Sequence, residues 1–377
     1  MKGLVYSGLN QCEVRDCVMP AIQSPTDAIL RMDHTSICGT DLHILRGNIP
    51  TVEQGRILGH EGVGTITSLG SAVDSFFVGE TVLISCISSC GTCSACKRGM
   101  NSHCVRGGWI LGNVIDGTQA EYVRIPHANN SLYKIPGNID PGEMVVLSDS
   151  FPTGLECGTL NANVQPGSSV AIVGAGPVGI AAMLTAKLYS PYQIVVIDKD
   201  EKRLELAQKF GADKIINVQS FDAMEQLDSV VDGRGFDSVI EAVGASNTFD
   251  LCQKLVGPGG SLANIGVHGK QATLDLDKLW DRNINIKTRL VDTVTISTLL
   301  KLFQSGRLSP SLVTHRKLPI FKYFGSLSSL SIGIKTRYFE IRCIFLTLNV
   351  GNLVSDIIAL ALIGMISSYP INLRLGI

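Results

Sequence analysis

The sequence carries almost no excess charge of either sign. Its 32 Lys and Arg residues are balanced by 33 Asp and Glu residues, which gives a formal net charge of −1. Nucleic acids and other polyanions are bound through clustered basic residues, so this balance favours no such partner. Charged residues make up only 17% of the chain and hydrophobic residues 45%. That composition is typical of a globular protein and excludes a disordered one.

The amino terminus lacks the apolar core of a secretory signal. Residues 1–6, Met-Lys-Gly-Leu-Val-Tyr, begin no long hydrophobic run. With 11 cysteines and no export signal, we expect a reducing, cytoplasmic setting, where thiols bind metals more often than they form disulfides. A length of 377 residues predicts two domains, each with its own core.

A glycine-rich run at residues 59–64 contains a histidine and a carboxylate side by side. Cys38 precedes this run in the sequence and Asp149 follows it. Thiolate, imidazole and carboxylate are ligands that zinc accepts, and three protein ligands leave its fourth position open for Lewis-acid chemistry. Cys38, His60 and Asp149 are therefore candidate ligands of an open zinc site. Asp149 has an alternative role as a helix N-cap, because aspartate is common at helix starts.

Four further cysteines follow one another at short intervals. Cys90, Cys93, Cys96 and Cys104 form the pattern C-x2-C-x2-C-x7-C. Four thiolates so spaced can close a tetrahedron around a structural zinc, with free thiols or two disulfides as the alternatives. Six further cysteines have no partner pattern, and we expect each to be a small buried or partly buried hydrophobic residue. They are Cys12, Cys17, Cys86, Cys157, Cys252 and Cys343.

The middle of the chain contains a second, independent motif. A β-branched run at 170–173 predicts a buried parallel strand, and residues 180–188 have the composition of a helix. Between them lies a G-x-G-x-x-G loop, where bare backbone lets a pyrophosphate approach a helix N-terminus. The loop consists of Gly174, Ala175, Gly176, Pro177, Val178 and Gly179. A βαβ unit without a ligand is the alternative.

The next predicted strand, residues 194–197, ends in Asp198. A carboxylate at this offset accepts both ribose hydroxyls of adenosine and repels a 2′-phosphate, so it favours NAD over NADP. Arg203 lies nearby, and we expect it along the adenosine or paired with a carboxylate. Further strands predicted at 214–217, 236–244 and 260–266 alternate with helices, which indicates a doubly wound α/β sheet.

The pattern G-H-E-x-x-G-x5-G-x2-V, from Gly59 to Val73, resembles the zinc signature of the medium-chain alcohol dehydrogenase family. The cysteine loop resembles that family's structural-zinc lobe. The resemblance covers residues 1 to about 316. It implies a β-rich GroES-like catalytic domain at 1–150, including the lobe at about 86–110, a Rossmann domain at 151–290, and a return towards the catalytic domain at 291–316. The short alternating runs at 62–69 and 80–85 fit a β-rich domain.

The resemblance also assigns roles within the site. It implies a proton relay from Thr40 to His43, a Glu61 carboxylate behind the zinc that assists ligand exchange, and Asp149 in the place of the third ligand. Thr153 continues this segment towards the cofactor. Three residues at strand ends would flank the nicotinamide: Val243, Gly266 and Val267. His268 is expected to be a loop residue without a chemical role.

The implied activity is oxidation of a primary or secondary alcohol to an aldehyde or ketone, with two zinc ions per subunit and NAD as hydride acceptor. An aspartate ligand resembles the branch that acts on simple alcohols, whereas a polyol dehydrogenase or a related zinc reductase of the same family is the alternative. No long insert separates Cys104 from Asp116, which resembles the compact homo-oligomers, tetramers above all.

The resemblance lapses at residues 317–377. This atypical tail has six Lys and Arg residues but only two acids. Residues 343–366 are apolar and long enough to cross a bilayer, yet Asn349, Asn352 and Asp356 inside them disfavour a membrane anchor. We expect the tail to come from a frameshift, a retained intron or alternative splicing. An inactive or regulatory product is then the alternative from another functional class.

Overall fold

The computed structural model describes residues 1–137, 139–231, 233–309, 316–318 and 346–349. Its amino-terminal half consists mainly of strands: a β1–β2 hairpin and a mostly antiparallel sheet built on β3, β4, β5 and β7, with β6 paired to β3. The strands are β1 (Lys2–Gly8), β2 (Gln11–Asp16), β3 (Ala28–Thr35), β4 (Gly62–Leu69), β5 (Thr81–Ile84), β6 (Tyr122–Ile125) and β7 (Leu132–Lys134).

The glycines of the 59–64 run allow β4 to lie close to β3. A Cβ at Gly64 would lie 2.6 Å from the Arg31 carbonyl oxygen, so a side chain there would push the two strands apart. Inward-facing side chains such as Leu30, Ile66 and Ile84 form the core of this sheet. The glycines of this run therefore serve strand packing and place His60 and Glu61 at the start of β4.

Short helices and helical turns surround this sheet and lead out of it. They are α1 (Gly39–Leu45), α2 (Ser94–Lys97), α3 (Ala128–Ser131), α4 (Pro141–Met144) and α5 (Ser150–Thr153), with 3₁₀ turns at Asn101–His103 and Val145–Leu147 and a π-helical segment at Gly154–Leu160. The turns at 145–147 and α5 pack on both halves of the molecule, since one core cluster joins Leu83 and Val146 to Ile172. The predicted domain boundary at 150/151 thus falls within a continuous core.

The second half is a six-stranded parallel sheet in the order β10-β9-β8-β11-β12-β13, with helices between the strands. This is the order of a doubly wound dinucleotide-binding sheet. The elements are β8 (Ser169–Val173), α6 (Pro177–Lys187), β9 (Gln193–Asp198), α7 (Glu201–Lys209), β10 (Lys214–Asn217), α8 (Ala223–Val231), β11 (Phe236–Glu241), α9 (Ser246–Leu255), β12 (Val256–Asn264), α10 (Leu276–Leu279), β13 (Asn285–Thr288) and α11 (Ile296–Gln304).

Some element ends differ from the sequence predictions. Helix α6 begins at Pro177, because proline is favourable in the first turn of a helix. Strand β11 ends at Glu241 and does not reach residue 244, since the Glu241 carboxylate accepts hydrogen bonds from the backbone N–H groups of Val243 and Gly244 and turns the chain. Strand β12 begins at Val256, four residues before the predicted start.

The carboxyl-terminal part returns to the first half of the molecule. Helix α11 packs against α5, with Phe303 and Phe151 in an edge-to-face contact at 5.0 Å between ring centroids. Strands β14 (Arg316–Leu318) and β15 (Leu346–Asn349) extend the first sheet, β15 pairing antiparallel with β3. The rest of the tail at 317–377, including most of its apolar stretch, lies outside the described residues. The expectations about a membrane anchor and about the origin of the tail therefore remain predictions. Among the helices that are described, none has the length and apolarity to cross a membrane.

Candidate active site

Four side chains from three separate segments of the first half converge on one largely buried point. One ligand atom each from Cys38, His60, Glu61 and Asp149 lies within 4.8 Å of every other. His60 Nε2 is 3.4 Å from Asp149 Oδ2 and 3.8 Å from Glu61 Oε1, and Cys38 Sγ is 3.7 Å from Asp149 Oδ2. These distances bring together all three predicted zinc ligands and the carboxylate predicted behind the metal.

Local structure explains how each ligand reaches this point. Cys38 is the N-cap of α1, and its backbone N–H donates to Asp41 Oδ2 at 2.8 Å. His60 follows Gly59, whose φ of +95° and close contact with Gln119 leave room only for glycine. Asp149 stands at the N-cap position of α5 but makes no side-chain cap bond. Its carboxylate points to His60 instead, so it does not cap the helix.

Acidic groups are buried together in this cluster. Burial and the neighbouring Glu61 carboxylate raise the pKa of the Cys38 thiol to about 12. Burial, followed by the Asp149 charge, raises the pKa of Glu61 to about 7. The anionic forms of Cys38 and Glu61 are therefore disfavoured without a cation. Burial also opposes ionisation of Asp149, but the hydrogen bond and charge of His60 outweigh it and lower the pKa of Asp149. A bound dication stabilises thiolate and carboxylate directly. One sulfur, one imidazole nitrogen and carboxylate oxygens therefore fit zinc, with room for an exchangeable position.

The four-cysteine loop forms a second candidate metal site. One sulfur atom from each of Cys90, Cys93, Cys96 and Cys104 lies within 4.8 Å of the others, and Cys93 Sγ is 3.5 Å from Cys96 Sγ. Desolvation raises the pKa of Cys90, but hydrogen bonds from Thr92 and backbone N–H groups outweigh it and lower the pKa to about 5. A closed set of four sulfurs fits a structural zinc and leaves no open position.

The residues of the predicted proton relay lie on α1, which Cys38 caps. The Thr40 hydroxyl is 3.7 Å from Cys38 Sγ, and the Asn48 amide is 3.0 Å from His43 Nδ1. Desolvation, followed by the charges of Arg46 and His268, lowers the pKa of His43 below its ordinary value of 6.5. His43 is therefore held in its neutral form near pH 7, as a proton acceptor must be.

The glycine loop lies between β8 and the start of α6, as the sequence predicts. A Cβ at Gly179 would clash with the Gly174 carbonyl oxygen, whereas a Cβ at Gly176 would meet nothing within 4 Å. Gly174 and Gly179 thus serve tight packing, and the backbone at Gly176 is open to a phosphate group at the N-terminus of α6. Pro177 and Val178 form the first turn of that helix.

Asp198 ends β9 beside this loop. Its Oδ2 accepts from the Ala175 N–H at 2.6 Å, and its Oδ1 accepts from the N–H groups of Lys199 and Asp200 at 2.7 and 2.9 Å. The backbone thus fixes the carboxylate, and lone-pair positions remain for ribose hydroxyls. Arg203 lies in the first turn of α7, where its N–H donates to the cap residue Asp200.

The three residues predicted to flank the nicotinamide lie together beyond the ends of β11 and β12. Val243 and Val267 are 45% and 43% exposed, and Gly266 lies so close to the Gly244 backbone that a Cβ would clash. A Cβ on the next glycine, Gly269, would be 2.6 Å from the Asn48 amide. The loop after β12 therefore lies close to the segment that follows α1.

Two known protein families match this chain. Residues 24–137 match the family described as alcohol dehydrogenase GroES-like domain, and residues 177–305 match zinc-binding dehydrogenase. An alcohol dehydrogenase of Cupriavidus necator is 35% identical over 337 residues, which cover 84% of this chain and 91% of that protein. The chain belongs to the zinc-binding alcohol dehydrogenase family. The predicted GroES-like and Rossmann fold is thereby confirmed.

Two further relatives of this dehydrogenase show how varied the named activities of similar proteins are. The solved structure of zinc-dependent alcohol dehydrogenase 2 from Streptococcus pneumonia is 42% identical, with a TM-score of 0.85, and covers 94% of this chain and all of that chain. An L-threonine 3-dehydrogenase of Pyrococcus furiosus is 33% identical and covers 82% of this chain and 89% of that protein. These two relatives carry different names for their activity, so membership of the family does not fix the substrate of this chain.

Sequence reasoning missed two contributors to the dehydrogenase site. Cys86, expected to be only a small buried hydrophobic residue, has its Sγ 3.6 Å from Asp149 Oδ1. Glu156 is buried and accepts from the backbone N–H groups of Asp292 and Thr295 at 2.8 and 3.0 Å, so it ties the segment after β13 to the helical segment that follows Asp149. The charged residue in an apolar helical run was the only signal for Glu156, and no pattern marked Cys86.

Proposed function

We propose that this chain oxidises a primary or secondary alcohol to an aldehyde or ketone and transfers the hydride to NAD. The observation that carries the proposal is the convergence of Cys38, His60, Glu61 and Asp149 on one site. Zinc, when bound by Cys38, His60 and Asp149, supplies the Lewis acidity that lowers the pKa of an alcohol oxygen. Two zinc ions per subunit are proposed, the second in the four-cysteine loop.

In the proposed reaction, side chains of this chain accept and transfer the proton that the alcohol loses. Thr40, beside Cys38, receives the alcohol proton and passes it towards His43, which stands three positions further along the same helix and is neutral near pH 7. Glu61 has one oxygen held by the Ser36 hydroxyl, while Oε1 has no hydrogen-bond partner among the described residues. That free oxygen faces His60 and is placed to assist ligand exchange.

The proton relay predicts a pH effect. In His43→Gln, which keeps the side chain's size and removes its base, kcat/KM should fall about 10²-fold at neutral pH. Because the pKa of His43 lies below 6.5, protonation should silence the wild-type enzyme only on an acidic limb below that pH. Steady-state rates measured across the pH range should show this limb in wild type and not in the variant. An unchanged pH profile in His43→Gln would remove His43 from the relay.

Cofactor choice gives a second prediction. The Asp198 carboxylate should make NAD preferred, and Asp198→Gly should reduce the ratio of kcat/KM for NAD over NADP about tenfold, because the repulsion of a 2′-phosphate is lost. Asp198→Asn keeps an acceptor for the Ala175 N–H but removes the charge. It therefore distinguishes the effect of the negative charge from the effect of losing the hydrogen bond to the glycine loop. Asp200→Asn, which retains the cap of α7, is the matched control. Faster turnover of wild type with NADP at low concentration would assign phosphate recognition to Lys199 or Arg203.

We propose simple alcohols as the substrates. NADH formation with ethanol, 2-propanol, butanediol and sorbitol separates this activity from a polyol dehydrogenase or a related zinc reductase. No described residue supports the inactive or regulatory alternative, which rests on the tail. We further propose a cytoplasmic homo-oligomer, with a tetramer favoured. The end strand β13 and the nearby Trp280 and Leu276, 78% and 60% exposed, support self-association.

A further inference from the structure

The two carboxylate oxygens of Asp149 have different surroundings. Oδ2 faces the cluster, 3.4 Å from His60 Nε2 and 3.7 Å from Cys38 Sγ. Oδ1 faces away from these ligands, accepting from the Thr153 hydroxyl at 2.6 Å and lying 3.6 Å from Cys86 Sγ. One oxygen is therefore directed to the metal position and the other is occupied by two side-chain donors.

This arrangement decides how the carboxylate can bind a cation. A free carboxylate can turn and bind through one oxygen or through both, and a second oxygen would take the position that an open zinc keeps for substrate. Donors on Oδ1 oppose such a turn because rotation breaks their hydrogen bonds. Thr153 lies one helical turn after Asp149, on the helix that Asp149 precedes. Cys86 comes from the segment after β5 and holds the carboxylate from a second direction.

We propose that Cys86 is a positioning residue: its thiol, together with the Thr153 hydroxyl, holds Asp149 as a ligand through Oδ2 alone and keeps the fourth zinc position open. The inference rests on the proposed ligand role of Asp149. Cys86 itself is outside the group of ligand atoms that lie within 4.8 Å of one another. It acts as a donor to the ligand and not as a ligand.

A neighbouring cysteine provides a matched control. Cys157 is buried in the same small apolar cluster as Cys86, with Ile87 and Val291. Within the described part of the chain, Cys157 makes no hydrogen bond to Asp149. Substituting Cys157 therefore perturbs the same packing and leaves the carboxylate's donors in place, which separates a loss of volume from a loss of the donor.

The test compares Cys86→Ala and Cys86→Val, which lack a donor, with Cys86→Ser, which keeps one, and with Cys157→Ala. Zinc release to a colorimetric chelator should be about 10- to 100-fold faster in both donor-free variants than in wild type. Cys86→Ser and Cys157→Ala should stay within about threefold. With cobalt placed only at the catalytic site, the d–d bands should shift in the donor-free variants, while thiolate charge-transfer intensity stays constant because Cys38 supplies the only thiolate.

The outcomes distinguish the inference from the function on which it rests. If wild type holds no metal at the catalytic site, the proposed function fails. If wild type holds metal but Cys86→Ala and Cys86→Val release it no faster than Cys157→Ala, the positioning role is wrong. A fall in charge-transfer intensity on losing Cys86 would make it a ligand and also overturn the inference. Should Cys86→Ala fail to fold, Cys86→Val against Cys86→Ser still decides.

Discussion

Replacing Cys38 with serine is expected to lower kcat/KM by about 10³-fold or more while the fold persists. Lewis-acid activation is worth several kcal/mol, and about 4 kcal/mol corresponds to about 10³ in rate. Cys38 is the only sulfur in the buried ligand group, and a serine hydroxyl is a much poorer zinc ligand than a thiolate. Its backbone bond to Asp41 involves no side-chain atom of Cys38, so helix α1 should remain capped.

Metal analysis provides the direct measurement for this variant. Zinc content should fall from two ions per chain to one, with an unchanged circular dichroism spectrum and melting temperature. Cys17→Ser, at a partly exposed cysteine directly after β2 and outside the ligand group, should keep both ions and full activity. Cys38→Ser protein with two bound zinc ions and wild-type rates would contradict the assignment of Cys38 as a ligand.

Much of the fold could be predicted from the sequence because its signals are local. The glycine loop and Asp198 are coded by contiguous residues, since a tight strand-to-helix turn and a following acid need only a short stretch of chain. The observed loop, with Gly176 open and Gly179 closely packed, has the arrangement that the spacing predicts. Element ends were less certain because side-chain bonds such as that of Glu241 set them.

The orientation of Asp149 could not be predicted in the same way. Position alone allows an N-cap or a ligand, and the residue does stand at a helix start. What decides is the pairing of its two oxygens with His60 on one side and Thr153 and Cys86 on the other. His60 and Cys86 come from distant parts of the chain, and no local spacing brings them together.

The link between the cysteine loop and the second half is also non-local. Ser102, two residues before the last cysteine of the loop, donates through its backbone N–H at 2.9 Å and its hydroxyl at 2.6 Å to Asp292 Oδ1. The other oxygen of Asp292 accepts from Arg289, and the Asp292 N–H donates to the buried Glu156. These buried polar contacts are satisfied only together, so the loop's conformation affects the segment after β13.

That link makes the four-cysteine loop important for stability. Its helix α2 has four residues, of which only Ala95 is buried, so little apolar surface holds residues 90–104 in place. A closed zinc site supplies folding free energy directly. We expect Cys96→Ser to lose the structural ion and about 4 kcal/mol of stability, which lowers the melting temperature by about 5 °C in a chain of this size.

Calorimetry and metal analysis on Cys96→Ser test this expectation. Lys97→Ala, at an exposed non-ligand residue in the same helix, is the control. It should keep both ions and the wild-type melting temperature.

The Cys96→Ser and Cys38→Ser variants should have opposite effects on stability and activity. Cys96→Ser should melt early yet retain the KM of wild type in its folded fraction, because Cys38, His60 and Asp149 are intact. Cys38→Ser should melt normally and be inactive. A Cys96→Ser protein that keeps its melting temperature after losing one zinc would show that the loop is held by its hydrogen bonds to Asp292 and not by metal.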